Sequence, residues 1–373
     1  MSSKLERAMD ERWFPYMCFA RREAMSSRFS LCGSGMPAAD RALFESVGSI
    51  DLEYAGSSLL PQVRQRIAAR YAVAAEDVFV TPGASGAMAI VAAALFGPGV
   101  RVAVECPSYE PLRALPRRSG AEVVELERSL ERDWSLDLER AARALEGARP
   151  GFVFLSTPHN PSGQRTAAAD LRELARMAAR TGGALISNEI YEEFVPPERA
   201  FRAARELGAA LSIGSLTKAY GLGALRVGWV VLGSELSRWR ARFEDALFLD
   251  CVDLPTASLR AALRAFDVEA ELRRPLGTIE SGSKPMFDRW LAASKLFRGR
   301  SYGHGLTAFV RAEGVRDTRA LARHLAETED LGVVPGEYFG AGGYLRLGCG
   351  VPPEHLEESL ARLDRGRETY SGT

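Results

Sequence analysis

Between residues 76 and 235 the chain alternates short apolar runs with alanine-rich stretches, and this rhythm restricts the fold more than any other feature. The runs are VFVT (78–81), RVAVE (101–105), AEVVEL (121–126), GFVFLS (151–156), GALISN (183–188), ALSIGS (210–215) and VGWVVLG (227–233). Helical candidates 85–95, 109–118, 137–146 and 168–181 fall between them. Strand and helix in strict alternation predict βαβ units, hence a three-layer α/β/α domain around a mainly parallel sheet.

The flanks read differently. Residues 59–72 carry apolar positions at helical spacing, and 236–272 reads as a long helical region broken at Pro255. The stretch 276–300 is mostly helical. Residues 305–373 alternate strands (TAFVRA, LGVVPG, YLRLGCG) with helices at 317–329 and 353–366, which predicts a smaller α+β domain. Residues 1–45 are polar with interspersed aromatics and show no strand-helix rhythm. The expected division is an N-terminal segment 1–45, a large domain 46–272 and a small domain 273–373.

Composition removes several function classes. At 46% apolar, 373 residues can bury a sizeable core. Zero formal charge, with both signs interspersed, argues against nucleic acid and acidic membranes as partners. No apolar run reaches the roughly 18–20 residues that span a bilayer, and MSSKLERAMDERWF lacks a signal-peptide apolar core. Five widely spaced cysteines fit a reducing cytoplasm, and four scattered histidines show no metal-ligand spacing. The expectation is a cytoplasmic protein without a metal.

Only four of the 48 basic residues are lysines, and one of these is Lys218 in SLTKAYGLGALRVG (215–228). Arg stays protonated, whereas an amine can lose its proton and attack a carbonyl. Lys218 sits among small residues, with Ser215 before it and Arg226 after it. That pattern suits a lysine holding an aldehyde cofactor as a Schiff base beside an anchored phosphate, although a solvated loop lysine would read the same way.

Four further motifs follow apolar strands, where ligands of open α/β sheets bind. TPGASGAMAI (81–90) offers small residues and a helix N-terminus to a phosphate. In CPSYEPL (106–112), Tyr109 can lie on a flat heteroaromatic ring. STPHNPSGQ (156–164) presents Asn160 from a turn fixed by Pro158 and Pro161. SNEIYEEF (187–194) places Asn188 and Tyr191 where a buried strand emerges. Each alone reads equally well as an ordinary turn or core residue.

Together, over roughly residues 48–365, these motifs resemble the class I/II aminotransferases, pyridoxal 5'-phosphate enzymes of fold type I. The resemblance implies that Lys218 holds the cofactor covalently and later shuttles the proton at Cα. It implies that Arg226, Ser215, Ser85 and the backbone of Ala84 and Gly86 hold the cofactor phosphate, and that Tyr109 stacks on the ring. Asn160 and Tyr191 would hydrogen-bond its phenolic oxygen, and Tyr54 would reach a neighbouring subunit's phosphate. Arg346, in VPGEYFGAGGYLRLGCG (334–350), would take the substrate carboxylate; a surface salt bridge is the other reading. The implied partners are an amino-acid substrate and a second copy of the chain, in a homodimer with shared active sites.

Position 188 departs from the family pattern, which has Asp there to pair with the pyridine nitrogen. A carboxylate keeps that ring cationic and a strong electron sink, whereas the neutral Asn188 can only hydrogen-bond. Reversible amino transfer at Cα is the default reaction that the resemblance implies; Asn188 either alters that chemistry or is an engineered or tolerated substitution, or another acid compensates for it. The alternatives are β-elimination from an S-substituted cysteine, or oxidative deamination with or without decarboxylation. Enzymes of antibiotic biosynthesis share this fold. Residues 12–25, RWFPYMCFARREAM, either cover the cleft or pack as a helix on the dimer partner.

Overall fold

The computed structural model describes residues 13–24, 26–48, 56–303 and 305–372. Its largest sheet has seven strands: β2 (Val78–Pro82), β3 (Arg101–Cys106), β4 (Glu122–Glu127), β5 (Gly151–Ser156), β6 (Leu185–Asn188), β7 (Ala210–Ser215) and β8 (Val227–Leu232). They lie in the order β2-β8-β7-β6-β5-β3-β4, with β8 antiparallel to both neighbours and every other pair parallel. Helices cover both faces. β5, β7 and β8 are consequently buried along their whole length, which is why they read as unbroken apolar runs rather than alternating ones.

A four-stranded antiparallel sheet follows, ordered β12 (Val334–Pro335), β13 (Tyr344–Gly348), β10 (Thr307–Ala312) and β9 (Phe297–Arg298). The helices Thr318–Glu329 and Pro353–Thr369 pack against each other beside it. On β13 the period-2 alternation decides the position of Arg346. Leu345 and Leu347 enter one core cluster, while Arg346 and Tyr344 turn to the face that carries Phe309 and Phe339.

One expectation needs correction. LGVVPG is not one strand: β11 (Leu331–Gly332) pairs with the N-terminal β1 (Phe29–Ser30), whereas β12 joins the other sheet. Among the described residues of the N-terminal segment are a helix at Pro15–Arg22 and the strand β1. Both are held by distant partners, so no local periodicity announces them. Phe29 pairs with Leu331, the Arg28 N–H donates to Asp330 Oδ1 at 2.9 Å, and the Gly348 N–H donates to the Leu31 carbonyl at 2.8 Å. Among the described residues no helix is long and apolar enough to cross a membrane, and the five cysteines are unpaired.

Candidate active site

The strand ends converge on one cleft. In register, Ser156 at the end of β5 faces Asn188 at the end of β6, and Asn188 faces Ile213 on β7, two residues before Ser215. Lys218 follows in the next turn. Its Nζ donates to Ser34 Oγ at 2.9 Å, and its carbonyl accepts the Met36 N–H at 2.8 Å. Gly35 is required between them, because a Cβ there would meet the Lys218 backbone and Cδ at 3.0–3.1 Å. Burial pulls the amine below its ordinary pKa; the Tyr16 phenol opposes this, and the positive charges of Arg346 and Arg226 add to it. A lysine in this setting has a larger neutral, nucleophilic fraction than one in water.

The phosphate-type cradle is made by two strands meeting closely. Pro82 pairs with Val227, and Gly228 lies so near Gly83 that a Cβ on it would come within 2.4 Å of the Gly83 carbonyl carbon. This sets Arg226, in a left-handed conformation (φ 53°), over the N-terminus of the Gly83–Leu95 helix. Its Nη2 donates to the Pro82 carbonyl at 3.2 Å, and a Cβ on Gly83 (φ 74°) would strike that nitrogen at 2.5 Å. Ala84, Ser85 and Gly86 occupy the helix's first turn, where unpaired N–H groups face an incoming anion. Ser215 is fully buried, with Oγ accepting the Thr217 N–H.

Asn160 and Tyr191 are both buried and bonded to each other, Nδ2 to Oη at 3.3 Å. Burial also raises the Tyr191 phenol's pKa. Asn160 Oδ1 accepts from Arg346 Nη1 at 3.5 Å, and Arg346 Nη2 donates to the Cys32 carbonyl at 2.7 Å. Arg346 is 1% exposed, its Nε has no partner, and no carboxylate pairs with it among the described residues. Burial works against its charge, yet the Tyr16 and Tyr191 phenols outweigh that and keep its pKa high. A surface salt bridge is excluded; the group is a buried fork with donor capacity to spare.

Tyr109 is half-buried, with Oη donating to Met17 Sδ at 3.2 Å. Asn188 is buried, and Oδ1 is orphaned; Nδ2 reaches Ser156 Oγ only at 3.5 Å. Among the described residues no acid is bonded to Asn188. Glu189 Oε1 accepts from the Ala203 N–H and Ser212 Oγ, and burial raises its pKa to about 8. Glu105 accepts the Ser156 N–H and pairs with Arg128 at 2.9 Å; burial raises it to about 7. Tyr54 lies outside the described residues.

Sequence reasoning missed Ser34, Glu110, Tyr16 and the Cys32 carbonyl. SLCGSGMPA (30–38) carried a weak glycine signal, but nothing local ties it to Lys218 or Arg346.

The motif set and sheet topology define a pyridoxal-phosphate fold of type I, and the comparisons agree. The chain matches the family "Aminotransferase class I and II" over residues 32–363, and it belongs to that family. It is 31% identical to the capreomycidine synthase of Streptomyces vinaceus over 303 residues, 79% of this chain and 75% of that protein. It is 29% identical to the arginine–pyruvate transaminase AruH of Pseudomonas aeruginosa over 336 residues, 87% and 84% of the two chains. The solved structure of the PLP-dependent cyclase OrfR superposes with a TM-score of 0.82 at 26% identity, covering 95% of this chain and 96% of that one. Pyridoxal phosphate is the cofactor of this family, and the orphaned Asn188 oxygen and the Gly83–Arg226 cradle fit it.

Proposed function

We propose that this chain is an enzyme of specialised metabolism that breaks a bond at Cα of an arginine-type amino acid. The observation that carries the reading is Arg346, a buried guanidinium with no carboxylate partner among the described residues, in one cleft with Lys218. Arginine is the substrate named by one relative, while two others are a synthase and a cyclase. Bound pyridoxal phosphate supplies the electron sink for the pair left at Cα.

The chain's own residues do the rest. Lys218 would anchor the cofactor and hold the proton that moves at Cα. Arg346 takes the α-carboxylate in a two-donor fork, which fixes the amino acid's orientation. Arg226, Ser215, Ser85 and the N–H groups of Ala84 and Gly86 would bind the phosphate. Tyr109 would cover the ring, Asn160 and Tyr191 would hydrogen-bond its phenolic oxygen, and Asn188 its nitrogen. A homodimer belongs to this reading. Phe248, Leu249 (92% exposed) and Val252 form an apolar surface that a second copy would cover, and Tyr54 would reach its phosphate site.

Amino transfer is the default reaction. Asn188, with no acid replacing Asp, favours a second reading in which elimination, cyclisation or oxidative loss of the amino group competes. Incubating pure holoenzyme with L-arginine, other amino acids and pyruvate separates them. Amino-group exchange supports transfer, thiol plus pyruvate supports elimination from cysteine derivatives, and oxygen uptake or CO2 release supports the oxidative route. No change at Cα in any amino acid would overturn the proposal.

The phosphate cradle has its own test. Gly83→Ala puts a Cβ into the Arg226 guanidinium and strains a left-handed turn, at roughly 1–2 kcal/mol for the turn alone. Spectrophotometric titration of the apoenzyme is expected to show cofactor binding weakened about tenfold or more.

A further inference from the structure

One hydroxyl in the aromatic wall beside Arg346 has no role in the family motifs. Tyr16, on the Pro15–Arg22 helix, is 8% exposed. Its ring meets Tyr109 edge-on at 5.7 Å and lies 5.5 Å from Phe339. The Arg346 guanidinium carbon stands 5.6 Å from the Tyr16 ring centroid. Its hydroxyl is a hydrogen-bond partner of the Arg346 side chain.

An eight-residue helix does not hold itself in water. This one is fixed by the residues that line the cleft. Glu110, directly after Tyr109, accepts the N–H of Tyr16 at 2.8 Å and of Met17 at 3.2 Å. Phe19 stacks on Tyr338 at 4.9 Å, and the Tyr109 hydroxyl meets Met17 Sδ. The position of Tyr16 is therefore tied to the site on two sides.

A carboxylate offers about four acceptor positions, more than one planar guanidinium fills. Tyr16 brings a further donor to the side of Arg346, from the helix Pro15–Arg22. We propose that Tyr16 is a substrate-binding residue that donates a second hydrogen bond to the α-carboxylate seated on Arg346. This rests on the reading of Arg346 given above.

Propionate is a suitable probe, because it carries the carboxylate and no reactive amine. Its Kd for the holoenzyme is read from the change in cofactor absorbance. A hydrogen bond to a charged group contributes about 1.5–3 kcal/mol, so Tyr16→Phe is expected to raise the propionate Kd about tenfold or more. Tyr16→Leu is expected to raise it at least as far, with cofactor affinity unchanged in Tyr16→Phe. If Tyr16→Phe binds propionate like the wild type and only Tyr16→Leu loses affinity, the ring matters and the hydroxyl does not, and the proposal fails. A parallel loss of cofactor affinity in Tyr16→Phe would also overturn it. Arg346→Lys reports separately: unchanged propionate binding there would overturn the carboxylate role of Arg346 itself.

Discussion

Lys218→Ala is expected to abolish the borohydride-reducible bond between protein and pyridoxal phosphate, and to lower turnover by at least about 10³-fold. The magnitude follows from two lost contributions. General acid-base catalysis by a positioned side chain contributes about 10²–10⁴-fold, and covalent anchoring of the cofactor is lost as well. Lys218→Arg separates charge from nucleophilicity, because it keeps the positive charge but cannot give up a proton to attack an aldehyde. It is expected to fail as completely as the Ala variant. If the charge of Lys218 were what mattered, the Arg variant would retain most activity.

The chain makes this test unusually clean, since only Lys4, Lys284 and Lys295 remain as alternative anchors. Lys284 is engaged with Ser301, Nζ to Oγ at 2.8 Å. Reduction with borohydride followed by peptide mapping reads the answer directly. A label on the 215–228 peptide in the wild type, and none in the variant, is the expected result. A label that persists elsewhere would move the anchor and sink the assignment. The burial that lowers the Lys218 pKa has its own consequence: cofactor loading is expected to reach its plateau at lower pH than a free lysine would allow.

What could be read from the chain, and what could not, divides along the range of the interactions. β5 and β7 were legible because helices cover both sheet faces, so GFVF and ALSI are buried on both sides and largely apolar, and Gly and Pro punctuate them. Asn188 was legible because it ends such a strand. The N-terminal segment was not. The Pro15–Arg22 helix is capped by a carboxylate 94 residues away in sequence, at Glu110, and β1 pairs with a strand near residue 331. Neither contact leaves a period in the local sequence. The same holds for Ser34 and the Cys32 carbonyl, which reach Lys218 and Arg346 where Gly348 lets two backbones touch; a Cβ on Gly348 would lie 1.9 Å from the Gly33 carbonyl oxygen. The splitting of LGVVPG between two sheets is a tertiary decision of the same kind.

Asn188→Asp is expected to change the character of the reaction rather than its existence. The side chain is buried at the end of β6, its Oδ1 has no partner, and the bonds of Glu105 and Glu189 run to Ser156, Arg128, Ala203 and Ser212 rather than to it. A ring nitrogen placed there meets an amide and no negative charge. The substitution adds a carboxylate of nearly the same shape, and a charge-assisted hydrogen bond contributes about 1.5–3 kcal/mol. Since 1.36 kcal/mol corresponds to one pKa unit, the ring nitrogen is expected to stay protonated about one to two pH units higher. The sign is fixed: an added negative charge favours the protonated form, so the titration moves up, never down. With enzyme loaded with ¹⁵N-labelled cofactor, the ring-nitrogen chemical shift followed against pH measures this without reference to any substrate. If the cationic ring then lowers the barrier at Cα by the same free energy, amino transfer to pyruvate should rise about 10–100-fold. Competing elimination or oxidative products should fall in proportion. An unchanged ¹⁵N titration would mean that the nitrogen is partnered elsewhere and that Asn188 does not control it. A shifted titration with unchanged products would mean that Asn188 sets the ring's charge but not the outcome, and the choice of reaction would then lie with the residues that orient the substrate, Arg346 and Tyr16 first among them.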